Sequence, residues 1–466
     1  MEMRRYNRRQ VAGGIAVTLG LLPSLGFAQE NYAGQYLTAA KITTALLGPE
    51  SPPTEHWYFK TASSQPIIQA KQGQELRLRV FNELDEPLWL HFFGIRGPSD
   101  MMTVQVAEKN SSGVEVVFTP PDAGTFWFGP LLNASKHREM GLSGMLIVDE
   151  VQEQPFQDIP LIFDDWSLGD DGKIEEDFAN LDRAAGEGRL GNWFTVNGKF
   201  KPHITFNPEK PARLRLVNVA NTRSMNIGFK GLEGQILALD GQPVWPRPLG
   251  LTAIELQPGQ RVDILITEAQ EQVVVALDLF EDVVEVAFFD TTGYGRKTLP
   301  LDLKLPLNPV TPIGIGAIPR DITLAIEGGV KGGLLKAKVG KDELDLRAML
   351  EQGLAWAIGG SSGLGSPPIF EARKGEMLRL IFDNKTAFEQ ALHVHGHVWS
   401  VEKTSQPAAE GPALPLDWTD TVTIPAKSQV KVLMVADNLG TWAIQSLMAE
   451  RCDAGLIGAF TVADMP

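Results

Sequence analysis

The sequence predicts an all-β protein built from three related β-sandwich domains. An alternating apolar and charged strand, Glu75-Leu-Arg-Leu-Arg-Val80, returns as Arg213-Leu-Arg-Leu-Val-Asn218 and again as Met377-Leu-Arg-Leu-Ile-Phe382. Such alternation marks a half-buried strand. Each copy ends at, or is followed within a few residues by, an asparagine (Asn82, Asn218, Asn384), and each follows a turn-forming Lys-Gln-Gly, Glu-Lys-Pro or Lys-Gly-Glu. The period, roughly 150 residues, is too long for a solenoid and right for domains. A content of 31 Pro and 46 Gly in 466 residues suits many short strands joined by turns.

Residues 1–28 read as an export signal rather than as fold. Four arginines lie within Met1 to Arg9, an apolar run spans Val11 to Phe27, and Gly26-Phe27-Ala28 offers a small-residue cleavage site. The pair Arg8-Arg9 directly before the apolar run is the pattern of a twin-arginine signal, which the twin-arginine translocase reads on proteins already folded. The alternative, an uncleaved anchor, is disfavoured by the short, Gly-rich run, so no stable membrane span is expected after cleavage. The mature chain is then expected in the periplasm. Removing four arginines and one glutamate takes the net charge from −15 to −18. A protein this acidic repels phosphate backbones, which excludes nucleic acid as a partner. The single cysteine, Cys452, forbids an internal disulfide in that oxidising compartment.

The domains are expected at residues 29–150, 151–305 and 306–466. Met145-Leu-Ile-Val148 closes the first before the polar run Asp149 to Gln154, and the Leu/Pro-rich Leu299 to Pro312 reads as the linker into the third. Residues 328–340 are Gly/Lys-rich and read as a loop without the ending of a phosphate-binding loop. Lys341 to Gln352 has helix-former composition.

Three of the seven histidines fall in Gln390-Ala-Leu-His-Val-His-Gly-His-Val398. Read as a strand, this stretch puts His393, His395 and His397 on one face. Imidazoles gathered on a rigid element suit a late transition metal, and equally a buried hydrogen-bonded ladder.

With these residues the chain resembles the multicopper oxidase family over essentially its whole mature length. Leu88-Trp-Leu-His-Phe-Phe-Gly-Ile95, Gly124-Thr-Phe-Trp-Phe-Gly-Pro-Leu131 and Gly141-Leu-Ser-Gly144 carry the likeness in the first third. Val196-Asn-Gly198, Asp240-Gly241 and Pro258-Gly-Gln-Arg-Val-Asp263 carry it in the second. His393-Val-His-Gly-His397, Asp420-Thr-Val422, Gly440-Thr-Trp442 and Ala454-Gly-Leu456 carry it in the third. The resemblance implies three cupredoxin-like Greek-key β-sandwiches, with copper held in the third and between the first and third.

The same resemblance implies an incomplete ligand set. Active members use about ten histidines and a cysteine thiolate, and this chain has seven histidines in all. Where the family has ligands, this sequence has Phe93, Gly129 and Leu131, then Gln390, Gln445, Ser446, Leu447, Arg451 and Leu456. Cys452 matches an apolar core position, and His397 a structural one. His91, His393 and His395 remain, as a remnant metal site able to hold one Cu or Zn ion, or as a packed cluster between domains. His56, His137 and His203 stand alone as surface or hydrogen-bonding residues, and Met101-Met102 reads as core rather than copper-binding.

Within the family the pattern resembles a twin-arginine-exported, copper-less type that acts in cell division. The expected function is therefore a non-enzymatic periplasmic binding or scaffold protein, with a periplasmic protein as partner and no cofactor. The alternative is a copper-binding protein or residual oxidoreductase using a single Cu ion at the three histidines.

Overall fold

The computed structural model describes residues 34–207, 210–250, 252–279, 282–291, 303–314, 316–402 and 417–464. The expected export signal, residues 1–28, lies outside them, as do residues 299–302 of the expected linker. Residues 303–312 carry neither strand nor helix. Among the described residues no helix is long and apolar enough to cross a membrane.

The fold is all-β, and its sheets sort along the chain. Residues 35–149 form a four-stranded and a five-stranded sheet, and residues 320–463 form two five-stranded sheets and a small hairpin. Residues 157–290 form one nine-stranded sheet. Its long strands Met225–Leu239 and Arg261–Asp278 slip register between Lys230 and Leu232 and again between Ile236 and Ala238. Bulges of this kind bend strands, and the sheet closes around one core that includes Leu161, Leu216, Val275 and Phe289.

The internal repeat is topological as well as sequential. Leu76–Asn82, Ala212–Asn218 and Glu376–Asn384 each pair in parallel with an earlier strand: Gln35–Thr44, Gln157–Trp166 and Arg320–Gly328. On their other edge each pairs antiparallel with a later one: Asn110–Phe118, Arg261–Asp278 and Gln429–Ala436. The terminal asparagines do one job three times. The side-chain oxygen of Asn82 accepts from Leu84 N, that of Asn218 from Ala220 N, and that of Asn384 from Thr386 N. Each amide then donates to carbonyls further on, such as Glu86 O, Leu256 O and Phe388 O. A buried asparagine satisfied in this way fixes the turn that leaves the strand.

Two local expectations change. Lys341 to Gln352 is not one helix: Asp342–Asp345 is a strand, and only Leu346–Leu350 is helical. Gly340, at φ +60°, turns the chain so that Lys336–Val339 pairs with Asp342–Asp345, the geometry glycine favours at the head of a two-residue hairpin loop. Part of the expected Gly/Lys loop is therefore strand. Asp345 caps the short helix by accepting from Ala348 N at 2.8 Å. The histidine strand is also shorter than expected, running only from Gln390 to Val394. Gly396 adopts φ +66°, and a Cβ there would meet the Trp442 ring within 2.5 Å, so the chain turns away before His397.

Leu88–Phe93, which carries His91, and Gln390–Val394, which carries His393, each lie fourth in a five-stranded sheet. One apolar core runs unbroken through both thirds of the chain, from Leu90 and Phe92 to Leu392 and Trp442. That continuity holds the two strands at a fixed separation.

A candidate three-histidine metal centre

His91, His393 and His395 converge. All three are buried, and one ring nitrogen of each lies within 4.8 Å of one from each of the others. The rings of His91 and His395 are 4.1 Å apart between centroids, and those of His393 and His395 5.4 Å.

Strand register supplies the partners that orient them. His91 sits opposite Thr103, whose hydroxyl lies 2.7 Å from His91 Nδ1. His393 sits opposite Thr421 on one side and Gln445 on the other. Its Nδ1 is 3.1 Å from Asp420 Oδ1, and His395 Nε2 is 2.8 Å from Gln445 Oε1. A carboxylate and an amide oxygen only accept, so these two nitrogens carry the protons. His393 Nε2 is left buried without a partner among the described residues. Burial, and then the neighbouring imidazoles, hold His91 well below the usual histidine range and push His395 down to about 3. Neutral rings with a free lone pair are the ligating form.

His397 does not join them. Its Nδ1 donates to His395 O at 3.1 Å and its Nε2 receives Asn438 N–H at 3.4 Å, so both nitrogens are used in the turn. His56 and His137 are buried rather than superficial. His56 bonds Thr44 Oγ1 and Trp57 O, and His137 bonds Glu86. His203 is exposed and stacks on Phe288. Met102 is buried and Met101 packs beside it against the core.

An apolar wall closes the cluster. The Phe93 ring lies 4.6, 5.7 and 6.3 Å from the rings of His91, His393 and His395. Its other face stacks on Trp127, and both pack with Leu447. Leu131 packs separately with Cys452, Ala443 and Ile457. Cys452 is buried, and burial pushes its thiol up, so it is an inert core residue.

Gln390, Ser446, Arg451 and Leu456 also meet, one strand over. Arg451 Nη1 donates to Gln390 Oε1 at 3.0 Å and to Glu389 O at 2.6 Å, and Nη2 donates to Gly186 O at 3.1 Å. Its guanidinium lies 5.1 Å from the ring centroids of both Trp356 and Phe388. Ser446 N donates to Leu456 O, and Leu456 N to Arg451 O. The buried cation is thus partnered, and burial still lowers its pKa to about 10.

Three sequence models described as multicopper oxidase match residues 42–153, 157–291 and 343–466.

The chain belongs to the multicopper oxidase family.

It is 26% identical to the multicopper oxidase MmcO of Mycobacterium tuberculosis over 418 residues, covering 81% of this chain and 77% of that protein. It is 28% identical to the cell division protein FtsP of Proteus mirabilis over 302 residues, 58% of this chain and 62% of that protein. With FtsP of Haemophilus influenzae the identity is 23%, over 87% of this chain and 86% of that protein. The crystal structure of a multicopper oxidase from Pseudomonas thermotolerans superposes with a TM-score of 0.74 at 25% identity, covering 92% of this chain and 98% of that one.

One copper ion fits the three histidines on the chemistry of the donor set. The orphaned Nε2 of His393 is the observation that favours an ion, because a buried nitrogen with no partner costs about 1–3 kcal/mol. Three further residues complete the site. Thr103, Asp420 and Gln445 hold the second nitrogens, as outer-shell partners of metal-bound histidines do. Asp420 was visible only as a family motif and Gln445 only as the residue standing at a family ligand position; Thr103 emerges from cross-strand register.

Proposed function

We propose that this protein is an exported, periplasmic multicopper-oxidase homologue that acts as a non-enzymatic binding protein at the division septum. The observation that carries this reading is Arg451. A copper that accepts electrons from substrates needs a thiolate to set its potential. At the matching positions this chain has Ser446 and, beside it, a guanidinium hydrogen-bonded to Gln390 and packed against two aromatic rings. A fixed cation leaves no room or charge for a second one. The Phe93–Trp127 stack and Leu447 support the same reading, since they fill with carbon the space the family uses for oxygen reduction. The septum comes from the FtsP relatives, named as cell division proteins. The acidic net charge favours a periplasmic protein as partner over nucleic acid.

Two measurements test the reading. The purified protein, equilibrated with copper, should show no blue thiolate-to-copper band and consume no oxygen with phenolic or cuprous substrates. A tagged copy in the native host should collect at septa and depend for export on Arg8 and Arg9. Oxygen turnover would overturn the non-enzymatic reading, and an even envelope distribution with normal division in a deletion strain would overturn the septal one.

The unpartnered His393 Nε2 favours a second reading, in which the protein also holds a single metal ion at His91, His393 and His395. Metal stoichiometry of the wild type and of His393→Ala tests it: one bound ion is expected in the first and none in the second.

A further inference from the structure

We propose that the three-histidine cluster selects Cu(I) over divalent ions, as a closed, trigonal, all-nitrogen cradle. The proposal rests on the single-metal reading above and deepens it by naming the ion.

Charge is the first ground. The ligand set contains no anion, and the nearest carboxylate, Asp420, is already committed. Its Oδ1 accepts from Arg261 Nη1, Thr421 Oγ1 and His393 Nδ1, and its Oδ2 from Arg261 Nη2. Arg261 and Asp420 together carry no net charge, so a bound ion keeps its own. The cost of burying an ion rises with the square of its charge, which makes a divalent ion about four times as costly as a monovalent one in the same site.

Coordination number is the second. Zn(II) takes a fourth ligand, a water where the protein gives three. Cu(II) prefers a tetragonal set. Here the next place around the cluster is held by the Phe93 ring, whose far side is stacked on Trp127. Neither ring offers a lone pair to a metal: the polar atom of the stack, the buried Trp127 Nε1, carries a proton and can only donate. Three-coordination satisfies Cu(I). Bonds of about 2 Å place the three nitrogens about 3.5 Å apart. One ring nitrogen of each histidine already lies within 4.8 Å of one from each of the others, so a modest approach of the rings closes a triangle.

The orienting bonds fit the same geometry. With Nδ1 of His91 against Thr103, Nδ1 of His393 against Asp420 and Nε2 of His395 against Gln445, the nitrogens left to ligate are Nε2, Nε2 and Nδ1. The mixed choice follows from position. His91 and His393 lie within strands, whereas His395 lies one residue past the end of its strand, its backbone N–H bonded to Ala443 O.

The test is an anaerobic competition of the full-length mature protein against a chromophoric Cu(I) chelator, with parallel Zn(II) and Cu(II) titrations against a divalent-metal indicator. One Cu(I) per chain is expected, bound at least about a hundredfold more tightly than Zn(II) or Cu(II). X-ray absorption of the loaded wild type should show a three-coordinate, all-nitrogen first shell, a readout that needs no variant to fold. Phe93→Ala should narrow the preference by admitting water as a fourth ligand. Equal or tighter binding of Zn(II) or Cu(II) would overturn Cu(I) selectivity and leave the single-metal reading standing. A wild type that binds none of the three would overturn both.

Discussion

The ring of Phe93 lies flat on that of Trp127, with centroids 3.9 Å apart and planes 6° apart. Both are buried, and Leu447 packs with them. Phe93→His would give up the stack, worth about 0.5–1.5 kcal/mol, and bury a polar ring with few partners at about 1–3 kcal/mol. Urea denaturation should show a lower midpoint for Phe93→His, and likewise for Leu131→His and Leu447→His. None should consume oxygen, because an added imidazole supplies no thiolate and the single cysteine, Cys452, is an inert core residue.

Arg451 ties the chain segment around Gly186 to the C-terminal third, and Trp356 Nε1 on Ala184 O and Arg183 on Glu450 reinforce the tie. In Arg451→Met an apolar side chain can still pack against Trp356 and Phe388, and relief of the buried charge offsets part of the loss. The carbonyls of Glu389 and Gly186 and the Gln390 amide oxygen then lose their donor. The three unmet acceptors outweigh the relief, so a net loss of about 1–3 kcal/mol is expected. Limited proteolysis should cut residues 169–187 sooner in the variant than in the wild type. Unchanged cleavage would mean that the other ties suffice.

Glu139 sets a pH dependence that can be isolated. Burial pushes its carboxyl up to about 7 against the pull of Arg189, while it accepts from Ser167 N and Asn221 Nδ2. Between the unfolded value near 4.5 and about 7 the native state therefore binds more protons than the unfolded chain. Its stabilising contribution is complete below that window and lost as pH rises through it. Relative to wild type, Glu139→Gln should gain stability from pH 4.5 to 7, by at most about 1.4 kcal/mol per unit. Denaturation midpoints of both proteins across that range check the slope. His395, pushed down to about 3, acts with the opposite sign: the unfolded chain takes the extra proton, so its contribution is complete above 6.5 and lost as pH falls.

The three-fold repeat was legible because its signal is local. Alternation and a terminal asparagine, seen at Asn82, Asn218 and Asn384, are written in contiguous residues, and the topology repeats with them. The convergence of His91 with His393 and His395 was legible only through the family motifs, since nothing local links residues 300 positions apart. The hairpin at Gly340 and the turn at Gly396 were missed where a single glycine at positive φ overrode composition and alternation. The partner of Arg451 on Gly186 O joins two chain segments, and no pattern within either announces the other. The burial of His56 and His137 follows from packing against Trp166 and Trp57, which is equally invisible in sequence.

Arg261 sits between two aspartates of different standing, and that predicts an order of mutational cost. Its Nη1 and Nη2 donate to Asp420, its backbone N–H donates to Asp240 Oδ1, and its Nε donates to Thr125 O, so it joins all three thirds of the chain. Burial works against the Asp420 carboxylate, but Arg261 and then His393 outweigh it and hold Asp420 well below the usual range. Burial, and then the charge of Asp420, push Asp240 up to about 7. One ionised carboxylate therefore balances the guanidinium, and Asp240 serves mainly as a neutral hydrogen-bonding group below that pH. At pH 6, Asp240→Asn should cost about 1–3 kcal/mol, since asparagine accepts the residue's φ of +48° and keeps one acceptor for Arg261 N, but its NH2 cannot accept from Thr421 N as Asp240 Oδ2 does. Asp420→Asn should cost more, yet less than the about 3–5 kcal/mol of an orphaned buried ion, because loss of its charge lets Asp240 ionise beside Arg261 Nη1, 3.4 Å away. Arg261→Met should cost most, leaving Asp420 buried without the guanidinium that balances it. Chemical denaturation of the three variants at one pH gives the ranking, and an Asp240→Asn variant as damaged as Asp420→Asn would show that the two carboxylates share the charge.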